Sequence, residues 1–478
     1  MKQTNWGLFR FAGRKVIICL LCVASICLHA QTVTSLFSFN LANGAEPDIV
    51  LTQARDGALY GMTGTGGLYN AGTVFRFDPT TGTLTTLYNF CTQPGCTDGA
   101  NAPLGGGALA LGTDGNLYGA TSLGGLYSGC NQPSQTNGTI FKITPDGVLT
   151  TLHSFNSTDG GFPNGLIQGS DGNFYGTTQQ CGKNPGHLIN AGTVFKMTRG
   201  GKVTTLYNFC SQPGCADGGT PGSAPIQAAD GNFYGTTFGG GPSGGGVVYK
   251  ITPKGKYTVV ADIGGSPGGP LVQDGDGNFY GTESRANSAF KMAPDGTLIW
   301  TVTVGGYPYA GLALATDQKL YGTTYGSNTL FQITPDGGVT PLYTFCLTDC
   351  SDGNAPLAGL MQATDGPLYG VTIAGGTETC DFIFGVPGCG TIFSLDMGLG
   401  PFVEALTYSG KVGKTIEFLG QGFDKSTTVS FNGVTAKRSI KSGTYLTAKV
   451  PVGATTGYVT ITTKSGTLTS NQKFMVIP

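Results

Sequence analysis

The chain has little charge. Asp, Glu, Lys and Arg make up 11% of its 478 residues and nearly cancel, leaving a formal net charge of −1. No basic footprint for nucleic acid or for an anionic membrane surface is present. Histidine is scarcer still. Past the first 30 residues only His153 and His187 occur, so a nucleophile paired with a histidine base has almost no material to draw on. Glutamate is confined to Glu46, Glu283, Glu378, Glu404 and Glu417. Beyond the N-terminus no apolar run approaches the ~20 residues that span a bilayer.

Glycine, in contrast, is abundant at 82 residues. With short, regular apolar segments, that implies many tight turns between short strands. The N-terminus reads as a signal peptide over 1–30. Lys2, Arg10, Arg14 and Lys15 precede the apolar stretch Val16 to Leu28, and Leu28-His-Ala30 offers a cleavage site before Gln31. Cleavage would leave no membrane span and an exported protein, either secreted or cell-surface/periplasmic. Ten cysteines remain: Cys91, Cys96, Cys130, Cys181, Cys210, Cys215, Cys346, Cys350, Cys380 and Cys389. An even number in an exported chain implies disulfides.

One unit repeats between residues 32 and 395. Its first signal, Asp-Gly…Tyr-Gly, falls at Asp56/Tyr60, Asp114/Tyr118, Asp171/Tyr175, Asp230/Tyr234, Asp276/Tyr280, Asp317/Tyr321 and Asp365/Tyr369, with Gln318 replacing Gly in the sixth copy. Its second signal, Gly-Thr-Val-Phe-Lys, centres on Phe75, Phe141, Phe195, Tyr249, Phe290, Phe331 and Phe393. Its third, Thr-Thr-Leu-Tyr-Asn-Phe, is missing after Phe393 but present at the front, as Val33 to Phe39. The first copy must then pair with the last repeat. The spacing fits propeller blades of four strands, with the N-terminal strand completing the final blade.

The expected fold is all-β: a seven-bladed β-propeller over 31–395 closed by the N-terminal strand, a linker at 396–401, and an immunoglobulin-like β-sandwich over 402–478. Tight Asp-Gly turns would occupy one face of the propeller. The long, variable segments and all ten cysteines would occupy the other, where binding sites on rigid scaffolds usually sit. Local disulfides Cys91–Cys96, Cys210–Cys215, Cys346–Cys350 and Cys380–Cys389 are expected, with Cys130 and Cys181 placed to cross-link neighbouring blades.

The unit Asp-Gly-Asn-Phe-Tyr-Gly-Thr-Thr…Gly-Thr-Val-Phe-Lys…Thr-Thr-Leu-Tyr-Asn-Phe resembles the GloVer tandem repeat of exported bacterial proteins, which implies export and repeat architecture but no activity. The C-terminal segment resembles an IPT/TIG immunoglobulin-like domain through Val412 to Phe418, Gly420-Gln-Gly-Phe423, Thr428 to Gly433, Val450 to Ala454 and Gly457 to Thr462. That resemblance implies an adhesive or spacer module.

Candidate sites are few. His153 stands where other repeats have Tyr88, Tyr207 and Tyr343, a packing replacement. Asp274-Gly-Asp-Gly-Asn278 has the look of a calcium loop but coincides with the recurring turn and lacks the ligands to complete one. The repeated Tyr occupies one strand position throughout, which points to packing between blades rather than to a row of sugar-stacking rings. Glu46, Asp48, Glu378 and His187 are the catalytic candidates, all on the long-loop face. No metal or cofactor is expected. The implied function is a non-enzymatic binding or scaffold protein contacting carbohydrate or a surface protein. The alternative is a polysaccharide-active hydrolase or lyase at the central mouth of the same face, which needs two carboxylates, or a carboxylate and His187, to converge.

Overall fold

In a computed structural model of the protein, residues 31–103, 107–130, 135–183, 191–380 and 387–477 are described. The expected signal segment and His187 lie outside them. Seven antiparallel sheets recur along the described chain, and each follows the repeat. The third is representative. Its strands Gly161–Gln168, Phe174–Gln180, Thr193–Met197 and Val203–Asn208 pair in sequence order. In the seventh sheet the outer place is taken by the N-terminal strand Thr32–Ser38, which pairs antiparallel with Thr391–Asp396. That strand runs one residue past the boundary expected at 395.

Inside six of the seven sheets the repeat residues make the same hydrogen bond. The second-strand Tyr donates its hydroxyl to the turn Asp: Tyr60 to Asp56, Tyr118 to Asp114, Tyr175 to Asp171, Tyr234 to Asp230, Tyr321 to Asp317 and Tyr369 to Asp365, at 2.8–3.1 Å. The fifth sheet departs from the expected pairing. Its turn has the same length, but Asp274 stands where the third sheet has Gly169, and Tyr280 bonds Asp274 at 3.0 Å instead of Asp276. Asp274 also accepts the N–H groups of Asp276 and Asn278, so the calcium-like stretch is a hydrogen-bonded turn. In the sixth, Gln318 takes the left-handed φ of 65° that glycine supplies elsewhere. The Gly after each Tyr is needed for space. A Cβ on Gly61, Gly119, Gly176, Gly235, Gly281, Gly322 or Gly370 would collide with the third-strand ring of Phe75, Phe141, Phe195, Tyr249, Phe290, Phe331 or Phe393.

Between sheets, the Tyr ring packs on the residue that precedes the next Tyr. Tyr118 meets Phe174 at 4.0 Å, Tyr175 meets Phe233 at 3.8 Å and Tyr234 meets Phe279 at 4.4 Å between centroids. Tyr369 of the seventh sheet and Leu59 of the first share a core with Phe39 and Ile392.

A glutamine amide adds a second tie. Gln168, Gln227, Gln273 and Gln362 each accept a turn N–H of the preceding sheet, from Thr113, Ser170, Ala229 and Thr316, at 2.8–2.9 Å. Gln53 of the first sheet accepts from Thr364 of the seventh at 2.9 Å. The same amides donate to their own turn's Gly carbonyl, as Gln168 does to Gly172 at 3.1 Å.

Past Leu399 the texture changes. Two four-stranded antiparallel sheets enclose one core, with Ile416, Phe418 and Leu446 on one side and Val429, Phe431 and Ile461 on the other. Strands Thr415–Leu419 and Thr428–Phe431 overlap the segments that carry the resemblance, and short strands Val434–Ala436, Arg438–Ile440 and Gly466–Thr469 accompany them. This module docks on the tight turns. Arg55 pairs with Glu417 at 2.6 Å and lies 4.6 Å from the Tyr445 ring centre. Thr444 donates to the Arg55 carbonyl at 2.7 Å, and Gln421 to Thr364 Oγ1 at 3.0 Å.

Two substitutions separate ring packing from the hydroxyl bond. Gly176→Ala drives a methyl into the Phe195 ring and the Gly165 carbonyl, and urea unfolding should show a loss of about 1–3 kcal/mol. Tyr175→Phe removes a bond at a partly exposed carboxylate and should cost about 1 kcal/mol or less. The opposite order would contradict the packing role.

Candidate functional site

The tight-turn ends of the sheets carry regular carboxylate clamps. Burial alone would raise Asp171, but hydrogen bonds from Lys196, Asn173 and Tyr175 outweigh it and hold the carboxyl at about 2. A clamp of this kind, repeated along the turns and supplied with donors from its own sheet, is scaffold.

The opposite face is irregular, and an aspartate, buried at Asp98 and Asp217 and half-buried at Asp159 and Asp352, organises four of its loops. Asp98 accepts Tyr88 Oη at 2.8 Å, Thr92 N–H at 2.9 Å and Thr92 Oγ1 at 2.8 Å, closing the loop stapled by Cys91–Cys96. Asp217 does the same for Tyr207 and Ser211 inside Cys210–Cys215, and Asp352 for Tyr343 and Cys346 N–H inside Cys346–Cys350. In the second sheet His153 takes the tyrosine's place, with Nε2 2.9 Å from Asp159. All six of these loop cysteines have left-handed φ, between 53° and 68°. The remaining bridges are Cys380–Cys389 and Cys130–Cys181, which ties the loop of the second sheet to that of the third.

The catalytic candidates separate. Glu46 lines a cleft of about 630 Å³ between the loops of the first and seventh sheets, with Leu41, Tyr69, Asn70, Cys380 and Gly388. Burial raises its carboxyl, opposed by a hydrogen bond with Thr65. Asp48 is 1% exposed and does not line that cleft, and its Oδ1 has no partner. Burial, followed by the charge of Glu46, pushes it well above the ordinary range. Glu378 is exposed and outside the cleft. Glu46 and Asp48 are therefore neighbours that favour holding a proton, but they do not face one common pocket.

Sequence reasoning missed the exposed apolar groups of this face. Leu68 (76% exposed) and Leu126 (67%) cap the same loop in consecutive sheets. Their signal was legible, since Gly66-Gly-Leu-Tyr69 and Gly124-Gly-Leu-Tyr127 repeat one sequence within otherwise variable segments. Tyr307 and Tyr309 are also exposed. They lie beside Tyr325, while Arg285 stacks over Phe238 at 4.9 Å.

On the docked side, Glu404 opens onto a cavity of about 560 Å³ between the C-terminal module and the first three sheets, lined also by Gln53, Gln168, Arg199, Tyr408 and Lys414. Burial pushes its carboxyl from the ordinary 4.5 up to about 7.

These features define an all-β repeat protein of propeller-like fold with disulfide-stapled loops. The chain belongs to the Gloeobacter/Verrucomicrobia repeat family, whose model matches residues 23–132, 97–291 and 185–384. Among solved structures it is similar to virginiamycin B lyase from Staphylococcus aureus, at 14% identity over 77% of this chain and 99% of that one, with a TM-score of 0.52. It is similar to a streptogramin B lyase at 16% identity, over 77% and 98% of the two chains, with a TM-score of 0.52. A fungal alcohol oxidase solved with copper matches at 12% identity over 94% and 99%, with a TM-score of 0.51. At these identities the likeness is one of fold alone. No curated protein matches the chain.

Two measurements follow from the loops and the docked module. Cys130–Cys181 closes 51 residues and Cys91–Cys96 closes 5, so chain entropy makes the first worth about 2 kcal/mol more. Denaturant unfolding of the two Cys→Ser double variants should show that gap, and equal losses would contradict it. For Glu404, the folded chain keeps the proton to about pH 7 and the unfolded chain only to about 4.5. Stability from the neutral carboxyl is therefore complete below pH 4.5, declines as pH rises to about 7 and is flat beyond. Glu404→Gln should remove that decline in thermal unfolding, and an unchanged slope would contradict the burial.

Proposed function

We propose that the chain is an exported, non-enzymatic binding or scaffold protein, secreted or held at the cell surface or in the periplasm. In this reading the seven sheets are the blades of a propeller closed by the N-terminal strand, and the C-terminal module is an immunoglobulin-like domain of the IPT/TIG kind. The contact surface is the long-loop face, and the ligand is carbohydrate or a surface protein.

The observation that carries the reading is the asymmetry of the two faces. The C-terminal module engages the tight turns through Arg55 and Thr364. The long-loop face keeps Leu68, Leu126, Tyr307 and Tyr309 exposed, Leu126 on a loop tied by Cys130–Cys181. Exposed apolar groups gathered on a rigid frame mark contact surfaces. Five disulfides suit an oxidising compartment. The hydrolase or lyase alternative draws on the raised carboxyls of Glu46 and Asp48.

Charges placed on each face test the reading. Leu68→Asp, Leu126→Asp and Tyr307→Asp together should weaken retention on glycan arrays or envelope proteins by about tenfold or more. Val148→Asp with Leu298→Asp, on the exposed turn side, should leave it unchanged. Reducing-sugar release that disappears in Glu46→Gln would establish the enzymatic alternative instead.

A further inference from the structure

We propose that Tyr307, Tyr309 and Tyr325, together with Phe238 and Arg285, form a carbohydrate-binding platform at the inner rim of the long-loop face. This rests on the long-loop face being the contact surface, and it adds a place and a ligand class.

The segment Gly305-Gly-Tyr-Pro-Tyr309 enters the sixth sheet without the cysteine loop found before the second, fourth and seventh. Tyr309 follows Pro308 as Asp48 follows Pro47 and Asn164 follows Pro163. That register lies next to Ala310 and Gly311, where the entering segments of the fifth, sixth and seventh sheets touch. A Cβ on Gly269 would strike Ala310, and one on Gly359 would lie 3.2 Å from the Gly311 carbonyl. The rings therefore stand where the sheets converge.

They are exposed yet held in place. Tyr307 is 48% and Tyr309 39% exposed. The Tyr307 carbonyl accepts the N–H groups of Tyr309 at 3.1 Å and of Tyr325 at 3.0 Å, fixing all three backbones to one atom. A Cβ on Gly326 would sit 2.8 Å from Cδ2 of Tyr307, so that ring is seated against bare backbone. Tyr307 and Tyr309 are 6.4 Å apart with planes inclined at 36°, and Tyr325 stands 6.2 Å from Tyr309 at 72°. On the far side of Gly268, whose Cβ direction runs 3.6 Å from the Tyr309 carbonyl and 3.7 Å from the Phe238 ring, Arg285 lies over Phe238.

This chemistry suits a sugar better than a protein. A pyranose offers a face of polarised C–H bonds to the electron-rich face of an aromatic ring and directs its hydroxyls outward to polar groups. Beside these rings lie Gly326, against Tyr307, and Gly268, against Tyr309 and Phe238, which present backbone and no apolar side chains. A stable protein partner needs about 800 Å² of contact on each side, whereas a short oligosaccharide needs only a few well-placed rings. Holding the rings before binding lowers the ordering cost.

Affinity electrophoresis through mixed-linkage β-glucan, xylan and galactomannan tests this. The wild-type protein should be retarded by at least one. Tyr307→Ala with Tyr309→Ala should weaken that retardation about tenfold or more, while its thermal unfolding stays that of wild type. Tyr309→Phe should retain the binding, because the ring face carries it, and Leu68→Ala with Leu126→Ala should bind as wild type. Undiminished retardation of the Tyr307/Tyr309 variant would overturn the proposal. So would a wild-type protein that no polysaccharide retards. If that protein is nevertheless captured by envelope proteins through the long-loop face, the broader reading stands and the carbohydrate platform alone falls.

Discussion

The tyrosine of each second strand sets the geometry of everything around it. Its hydroxyl is tied to the aspartate of its own turn, and its ring is packed on the first residue of the next sheet's second strand. A four-stranded sheet of such short strands cannot bury its own faces. Each sheet depends on the one after it, and the dependence passes from the seventh sheet back to the first through Tyr369 and Leu59. The glutamine amides repeat the same logic with hydrogen bonds, down to Gln53 receiving Thr364 N–H. Both ties lie at fixed strand positions, and the repeats of this chain differ from one another mainly beyond the strand ends.

That constraint divides the molecule into two unlike ends. At the turn end the tyrosines bond the turn aspartates, Lys196 and Lys250 pair with Asp171 and Asp230, and the C-terminal module engages Arg55 and Thr364. At the loop end the chain is free to vary. It is stiffened by buried aspartates such as Asp98 and Asp217 and by cystines beside them. The stiffening matters for function, because a loop already held in its bound shape loses little freedom on contact. The Tyr307 carbonyl, holding two neighbouring amides, achieves the same end without a disulfide.

Much of this was legible in the sequence because its signals are local. Strand positions, the Asp-Gly turns and the short cysteine pairs are each written within about ten residues. What was hidden depends on distant partners. Gln168 looks like an ordinary strand residue until Thr113 of the preceding sheet is placed beside it. The docking of the module on Arg55 needs Glu417, 362 residues away. The fifth turn misled in a different way, since it carries a second aspartate at its first position and the tyrosine bonds that Asp274 rather than Asp276. Of the candidate site, Glu46 and Asp48 are two residues apart, yet Glu46 lines the cleft and Asp48 is buried outside it, a matter of packing that spacing does not encode. Tyr307 and Tyr309 were passed over because tyrosine is frequent in the repeat itself.

The central claim is that the repeat is scaffold and that contact belongs to the segments interrupting it. Hydrogen–deuterium exchange with and without a saturating polysaccharide that the protein retains measures this directly. New protection should be confined to the long-loop segments, 66–70, 124–130, 238–245, 305–309 and 325–328, with the Asp-Gly turns and the C-terminal module unchanged. Protection that appears instead at the turns around Asp171 and Asp230, or in the module around Tyr445, would contradict it.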